Sequence, residues 1–280
     1  MTTQQTDAPT TDYALGSAQA ERDRLDLQGA YYRMATVDAM RWAGIGPGSS
    51  VLDLGSGTGA VAFDAARLVG PTGSVLGLDG DEVQVRTATE GAARLGLTNV
   101  RFVHADLTTY VPEAPVDAIT ARLITMYLRD PVGTLTRLAG AVRPGGVVLL
   151  QEFAISSAHA VPSNPLFDRM LELVLGGFRA VGAPTDLGYD LGRILRGAGL
   201  GTPTMTVGAR WEDGTDAVGY ALLAGVVRTL RPAIVGHGLA TDAELDVDHL
   251  EGRLRAEIVE GPGTGVFAPL LVSGWAHTPA

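Results

Sequence analysis

The sequence predicts an α/β fold, a mostly parallel sheet with helices on both faces, on three observations. Apolar runs at 51–54, 74–78, 100–103, 116–119 and 147–150 are short and do not alternate with polar residues. Strands buried on both faces have that pattern. Helical stretches near 59–69, 81–95 and 131–142 lie between them, and strands separated by helices pair in parallel through right-handed crossovers. The first run, Val51-Leu52-Asp53-Leu54, enters a glycine turn, Gly55-Ser56-Gly57-Thr58-Gly59, that opens a helix. Small residues there let a ligand lie against bare backbone, and the helix start points unpaired N–H groups at it.

The elements follow in order. Residues 1–12, mostly Thr, Gln, Asp and Pro, are expected to be disordered. A helical stretch runs from about Ser17 to Trp42, with Leu25, Tyr32, Val37 and Met40 close to one stripe, and Gly44 and Pro47 end it. In the alternating region Gly70-Pro71 closes the helix after the glycine turn, and Pro144-Gly145-Gly146 follows the last helix. Beyond Glu152 the pattern changes. Asn164-Pro165 reads as a helix start, with Leu166, Met170, Val174, Phe178 and Val181 near helical spacing. Gly188 to Arg196 reads as a second helix stopped by Gly197 and Gly199, and 203–209 as a strand. Two more helices are expected at about 215–230 and 242–259, the latter opened by the capping box Thr241-x-x-Glu244. Phe267 to Trp275 reads as a strand returning to the sheet. The expected division is a tail and lid helix over 1–45 and a ligand-binding core over 46–155. Residues 156–280 then supply helical lid insertions and the last two strands of the sheet.

A chain of 280 residues buries a sizeable core, and 46% apolar content is ordinary for a soluble protein. The formal charge of −10 argues against nucleic acid as a partner, since phosphate contacts need clustered cations. All 21 basic residues are Arg, and Cys is absent, which excludes disulfides, Cys-ligated zinc and thiol nucleophiles. No apolar run approaches the roughly 18 residues that span a membrane. Met1 to Asp12 lacks the basic-then-apolar pattern of a secretion signal. A cytoplasmic protein with a small-molecule substrate is expected, with no membrane or nucleic-acid partner and with a homodimer left open.

Two ligand readings compete at the glycine turn. Gly55-x-Gly57-x-x-Ala60, with the acidic Asp79 about 20 residues on, satisfies the dinucleotide fingerprint. Against it, Asp53 stands two residues before the first glycine, where a nicotinamide-binding strand is apolar, and Gly59 adds a third glycine at alternate spacing. Val51 to Gly59 resembles motif I of the class I S-adenosylmethionine-dependent methyltransferases. Val75-Leu76-Gly77-Leu78-Asp79, Val100 to Leu107 and Pro144 to Leu150 resemble that family's later strand motifs, in the right order. The resemblance covers about residues 46–152. Tyr13-Ala14-Leu15-Gly16, Arg122-Leu123, Met126-Tyr127, Gln151-Glu152 and Trp275-Ala276 are similar to a bacterial branch that acts on small molecules of varied kind.

The resemblance implies a Rossmann-like class I methyltransferase fold, with a mostly parallel seven-stranded sheet, helices on both faces and a helical lid. It implies S-adenosyl-L-methionine as cofactor and gives the residues their roles. Gly55, Ser56, Gly57 and Gly59 approach the methionine part, and Asp53 contacts its ammonium, directly or through water. Asp79 accepts both ribose hydroxyls, and Gly80 stands where relatives often carry Ser. Asp106 accepts the adenine amino group, Leu107 lies against the ring, and His104 sits beside the cofactor. Arg122 flanks the cofactor carboxylate or orients the substrate, and Tyr13 and Gln28 seal the other side.

Methyl transfer from a sulfonium is a direct displacement whose reactivity comes from the cofactor. A base is needed only when the nucleophile carries a departing proton, and Glu152 and His159, near the end of the fifth strand, are the candidates. His237 and His249 read as surface residues, and no metal site is expected. Leu166, Phe167, Met170, Phe178, Leu222 and Leu223 line either the lid's own packing or a pocket for a hydrophobic or aromatic molecule. Two alternatives stand beside this reading. A protein of the same fold can bind the cofactor without methylating, and a nicotinamide-dependent oxidoreductase would need a Tyr-x-x-x-Lys pair or an equivalent, the former excluded in a chain without Lys.

Overall fold

The strand–helix alternation expected between residues 50 and 152 is present in the computed structural model, which describes residues 19–259 and 265–279. The expected N-terminal tail and Tyr13 lie outside the described residues. Helix α1 (Gln19–Trp42) leads into β1 (Ser50–Leu54), α2 (Ala60–Val69), β2 (Ser74–Asp79), α3 (Glu82–Arg94) and β3 (Val100–His104). Next come β4 (Val116–Arg122), α4 (Pro131–Ala139), β5 (Val142–Ala154), β6 (His159–Val161) and α5 (Pro165–Ala180). Helix α6 (Leu191–Gly197), β7 (Thr204–Gly208), β8 (Trp211–Asp213) and α7 (Val218–Gly236) follow. The chain closes with α8 (Asp242–Leu245), α9 (Leu250–Val259), β9 (Gly265–Phe267) and β10 (Leu270–His277).

Seven strands form one sheet in the order β3–β2–β1–β4–β5–β10–β7. The pairs from β3 to β5 are parallel, and β10 runs antiparallel to both of its neighbours. Successive side chains point to opposite faces of a strand. Val51 therefore packs on Ala39 and Met40 of α1 and Ala62 and Ala65 of α2. Leu52 and Leu54 meet Leu135 and Leu138 of α4 and Leu191 and Ile194 of α6 on the other face. Strand order reverses between β1 and β4, which opens a crevice beyond their C-terminal ends, where ligands of open α/β sheets bind.

A second layer covers that end. Helices α5, α7 and α9 share a core that includes Met170, Val174, Tyr220, Val227, Ile234 and Leu254. Asn164 caps α5 by accepting a hydrogen bond from the Phe167 N–H at 3.0 Å. Helix α7 is the single helix among the described residues long and apolar enough to cross a membrane, but it packs inside this layer against α5, α9 and α1. Its length corrects the expectation that no apolar run approaches 18 residues; Arg228 and Arg231, set within it, mask the run in the sequence.

The structure corrects several element boundaries. The helix expected over 131–142 stops at Ala139, because Val142 already pairs with Val116, and β5 then extends far beyond the expected 147–150. The helix expected over 242–259 is broken, since Asp246 adopts a left-handed conformation that ends α8. The helix expected from Gly188 begins as a 3-10 turn over Leu187–Asp190. The run Phe267 to Trp275 divides at Ala268-Pro269. Its first part joins an unforeseen three-stranded sheet, β6–β9–β8, and its second part enters the main sheet.

Candidate active site

The glycine turn is shaped by its backbone. Gly55 has φ +63, and a Cβ there would lie 2.4 Å from Ile124 Cγ1; Gly59, the N-cap of α2, has φ +94 and would meet the Phe63 ring at 2.5 Å. Neither position accepts a side chain, so the turn lies flat at the end of β1. Ser56 N–H donates to Leu78 O at 2.9 Å, which ties the turn to β2.

Two acids flank it. Asp79, the last residue of β2, accepts from Gly57 N–H at 2.7 Å and from Asp81 N–H at 2.9 Å. Burial raises its pKa against those bonds. Asp53 is 1% exposed and accepts from Thr120 Oγ1 at 2.9 Å, while its Oδ2 has no hydrogen-bond partner. Burial pushes its pKa up to about 7, opposed by the Thr120 bond and by the Arg122 guanidinium. Arg122 closes β4 and donates to Thr36 Oγ1 of α1 at 3.1 Å; burial lowers its pKa against the fields of Asp53 and Asp64.

Asp79, Arg122 and the glycine turn help to wall a cavity of about 300 Å³ at the crevice. Of the residues expected to bind cofactor, Gln28, Gly55, Ser56, Gly57, Asp79, Gly80 and Arg122 line it. Asp53, buried and in the fields of the wall residues Arg122 and Asp79, is not itself part of the wall, and neither is Gly59. The cavity walls do not include His104, Asp106 or Leu107. His104 Nε2 lies 3.0 Å from Gly80 O. Asp106 closes a turn, accepting from Thr108 N–H at 2.8 Å and Thr108 Oγ1 at 2.7 Å, and Leu107 is buried in the sheet core.

A second cavity adjoins the first, and Leu25, Gln28, Leu123 and Tyr127 line both. Its wall is apolar except for a few groups, of which Glu152 of β5 is the most buried at 2% exposed. Thr125 N–H donates to Glu152 Oε1 at 2.7 Å. Burial pushes the Glu152 pKa up to about 7, while the backbone N–H groups of Thr125, Met126 and Ile124 pull it down. His159 is separated from Glu152. It is exposed on β6, stacked on Phe267 at 4.8 Å with Nδ1 2.8 Å from Ser157 O, and it lines neither cavity. Leu123, between the two cavities, has φ +59 and is held by its N–H bond to Gln151 O at 2.9 Å. That conformation costs a non-glycine residue roughly 1–2 kcal/mol and marks a position fixed by its surroundings.

Several residues of the first cavity were missed in the sequence. Asp81 and Gln84 belong to the start of α3, where Asp81 is the N-cap, accepting from Val83 N–H at 2.7 Å. The Asp-Gly-Asp run at 79–81 followed by a helix carried that signal. Gln84, polar on a buried helix face, was also readable. Ile124 and the backbone of Leu123 were not, because their role depends on a loop conformation.

Residues 45–172 match the family model for a methyltransferase domain. Over this segment the chain is similar to S-adenosylmethionine-dependent methyltransferases. The domain is 33% identical over 139 residues to a Thermoplasma volcanium protein assigned as a cobalt-precorrin-6B C(15)-methyltransferase (decarboxylating), covering 49% of this chain and 64% of that one. It is 40% identical over 102 residues to the nocamycin O-methyltransferase of Saccharothrix syringae, 36% of each chain. It is 28% identical over 148 residues to the ubiquinone/menaquinone biosynthesis C-methyltransferase of Ectopseudomonas mendocina, covering 52% of this chain and 56% of that one. The chain thus spans between about a third and two-thirds of the length of these curated relatives. The solved structure of the YcgJ protein from Bacillus subtilis aligns over 88% of this chain and 99% of its own, with a TM-score of 0.55 and 17% identity, a likeness of fold alone.

S-adenosylmethionine is the cofactor that these similarities support, and the cavity at the glycine turn fits it. Ser56 Oγ and Gln84 Oε1, both buried in its wall, lack hydrogen-bond partners, as does Asp53 Oδ2. Buried polar atoms without partners are rare, and a polar ligand supplies them. Asp79 and Asp81, with the buried Asp53, outnumber Arg122, a balance that suits a cationic cofactor and opposes a dinucleotide pyrophosphate.

Proposed function

We propose that this chain transfers a methyl group from S-adenosylmethionine to a small-molecule acceptor seated in the apolar cavity, with Glu152 as base. The observation that supports it most is the shared wall: the two cavities meet at Leu25, Gln28, Leu123 and Tyr127, and the buried Glu152 opens onto the acceptor side of that junction. When bound, the cofactor supplies an electrophilic methyl group on a sulfonium. Asp79 and the glycine turn would hold its ribose and methionine parts, Asp53 would meet the ammonium through Oδ2 or a water, and Arg122 would balance Asp53 from the β4 side. Helix α1 closes the site, since its Asp26 accepts from Thr58 Oγ1 of the turn at 2.9 Å.

The protein's share of catalysis is position and proton removal. Holding nucleophile and methyl carbon in line supplies roughly 7–11 kcal/mol when the geometry is near attack. The carboxylate of Glu152, with a pKa near neutrality, is matched to taking a proton at working pH. Incubation with methyl-labelled S-adenosylmethionine and a small-molecule extract, followed by mass spectrometry, tests the proposal. A product gaining one labelled methyl is expected, and its absence with a saturated cofactor site would remove it.

A further inference from the structure

The composition of the acceptor cavity identifies a class of substrate. Resting on the methyltransferase reading above, we propose that the acceptor is a planar aromatic or conjugated molecule bearing a phenolic or enolic hydroxyl, methylated at that oxygen. Of the six phenylalanines in the chain, four, Phe153, Phe167, Phe178 and Phe267, line this one cavity. The other two, Phe63 and Phe102, pack on each other behind the glycine turn at 5.7 Å. Tyr32 adds a ring, 4.9 Å from Phe153, with its hydroxyl donating to Pro269 O at 3.0 Å. Away from the cavity the covering helices pack, Tyr220 apart, with aliphatic residues such as Leu173, Val227, Leu230 and Leu250. Rings are thus placed where a ligand would lie, and aromatic pairs gain energy beyond their buried area.

The polar end selects the reacting group. A buried carboxylate at Glu152 would hold an aliphatic amine as its ammonium and so tie up the lone pair that must attack, while an aryl amine, too weak an acid to give it a proton, gains no activation from it. A carboxylate acceptor would meet Glu152 as a like charge, and the cation in the same wall, the buried Arg24, is already engaged with Gln28 Oε1 at 2.8 Å. A phenol or enol is the acceptor that this group activates: its O–H bond breaks with the proton passing to Glu152, the new O–C bond forms to the methyl carbon, and the C–S pair leaves with sulfur. Glu152 then returns the proton to water. The chain's own acid is well placed for this, because its pKa of about 7 lies within a few units of a phenol's, about 10 for tyrosine.

The test uses 1-naphthol, 1-naphthylamine and 1-naphthoic acid as probes, titrated by calorimetry into the full chain saturated with S-adenosylhomocysteine. Turnover with S-adenosylmethionine then follows. We expect 1-naphthol to bind at least tenfold more tightly than either analogue and to give 1-methoxynaphthalene. Phe178→Leu and Phe167→Leu, which keep the apolar character and remove the ring, should weaken 1-naphthol at least fivefold, with S-adenosylhomocysteine affinity as the folding control. Equal or better binding of the amine or the acid, methylation at a ring carbon, or indifference to both substitutions would overturn this inference alone. Failure to bind S-adenosylhomocysteine would instead strike the methyltransferase reading beneath it.

Discussion

Replacing Glu152 with Gln separates the two things its burial does. The side chain is 2% exposed, and its pKa is displaced from an ordinary 4.5 to about 7. That displacement corresponds to about 3 kcal/mol. Below about pH 4.5 the group is protonated in both folded and unfolded chains and contributes no difference. Between there and about pH 7 the unfolded chain releases a proton that the folded chain keeps, so stability falls as pH rises. Above pH 7 the full cost of a buried carboxylate is present. The Gln variant keeps the shape without that cost, so the stability gained over wild type should grow by about 3 kcal/mol from pH 4.5 to pH 8. Asp53, displaced in the same direction, contributes equally to both proteins and cancels in the difference. Urea unfolding at a series of pH values measures it. The same variant should lose about 10²–10⁴ in kcat as the base is removed, with S-adenosylhomocysteine affinity unchanged, and wild-type kcat should fall as pH drops below about 7. A stability difference independent of pH, or an unaltered kcat, would refute a buried, titrating base at this position.

Three other substitutions probe separate parts of the structure. Asp79→Ala removes a charged acceptor whose hydrogen bonds are worth roughly 1.5–3 kcal/mol each, so calorimetry should show cofactor affinity at least tenfold weaker. Gly55→Ala places a Cβ at positive φ and 2.4 Å from Ile124. Backbone strain and overpacking together should cost about 3 kcal/mol in urea unfolding, and cofactor affinity should fall because Ile124 is part of the cavity wall. Asn164→Ala removes the cap of α5 and should cost about 1 kcal/mol while leaving cofactor affinity unchanged.

Much of the sheet was legible because it rests on local pattern. Unalternating runs gave β1 to β4, and the Asp53-to-Gly59 run pointed to a ligand at the end of β1, where the cavity lies. Capping residues were equally readable, as Asn164 and Thr241 both accept the bonds their types promise. What failed depended on single backbone states or on very short strands. Asp246 breaks a helix through one left-handed residue, and β6, β8 and β9 have three residues each, too few for a period to show. His159 and Glu152 are seven positions apart, yet the 3-10 turn at Ile155–Ser157 carries His159 onto the small sheet and away from the cavities. Leu123 illustrates the deeper limit: nothing in its type announces a positive φ, which comes from packing between two cavities.

Calorimetric titration of the purified chain with S-adenosylmethionine and, separately, with NAD and NADH bears most directly on the reading of the acid-lined cavity. One site for S-adenosylmethionine is expected, with the nicotinamide cofactors at least a hundredfold weaker, because Asp79 and Asp81 with the buried Asp53 oppose a pyrophosphate. Tighter binding of NAD or NADH than of S-adenosylmethionine would contradict it.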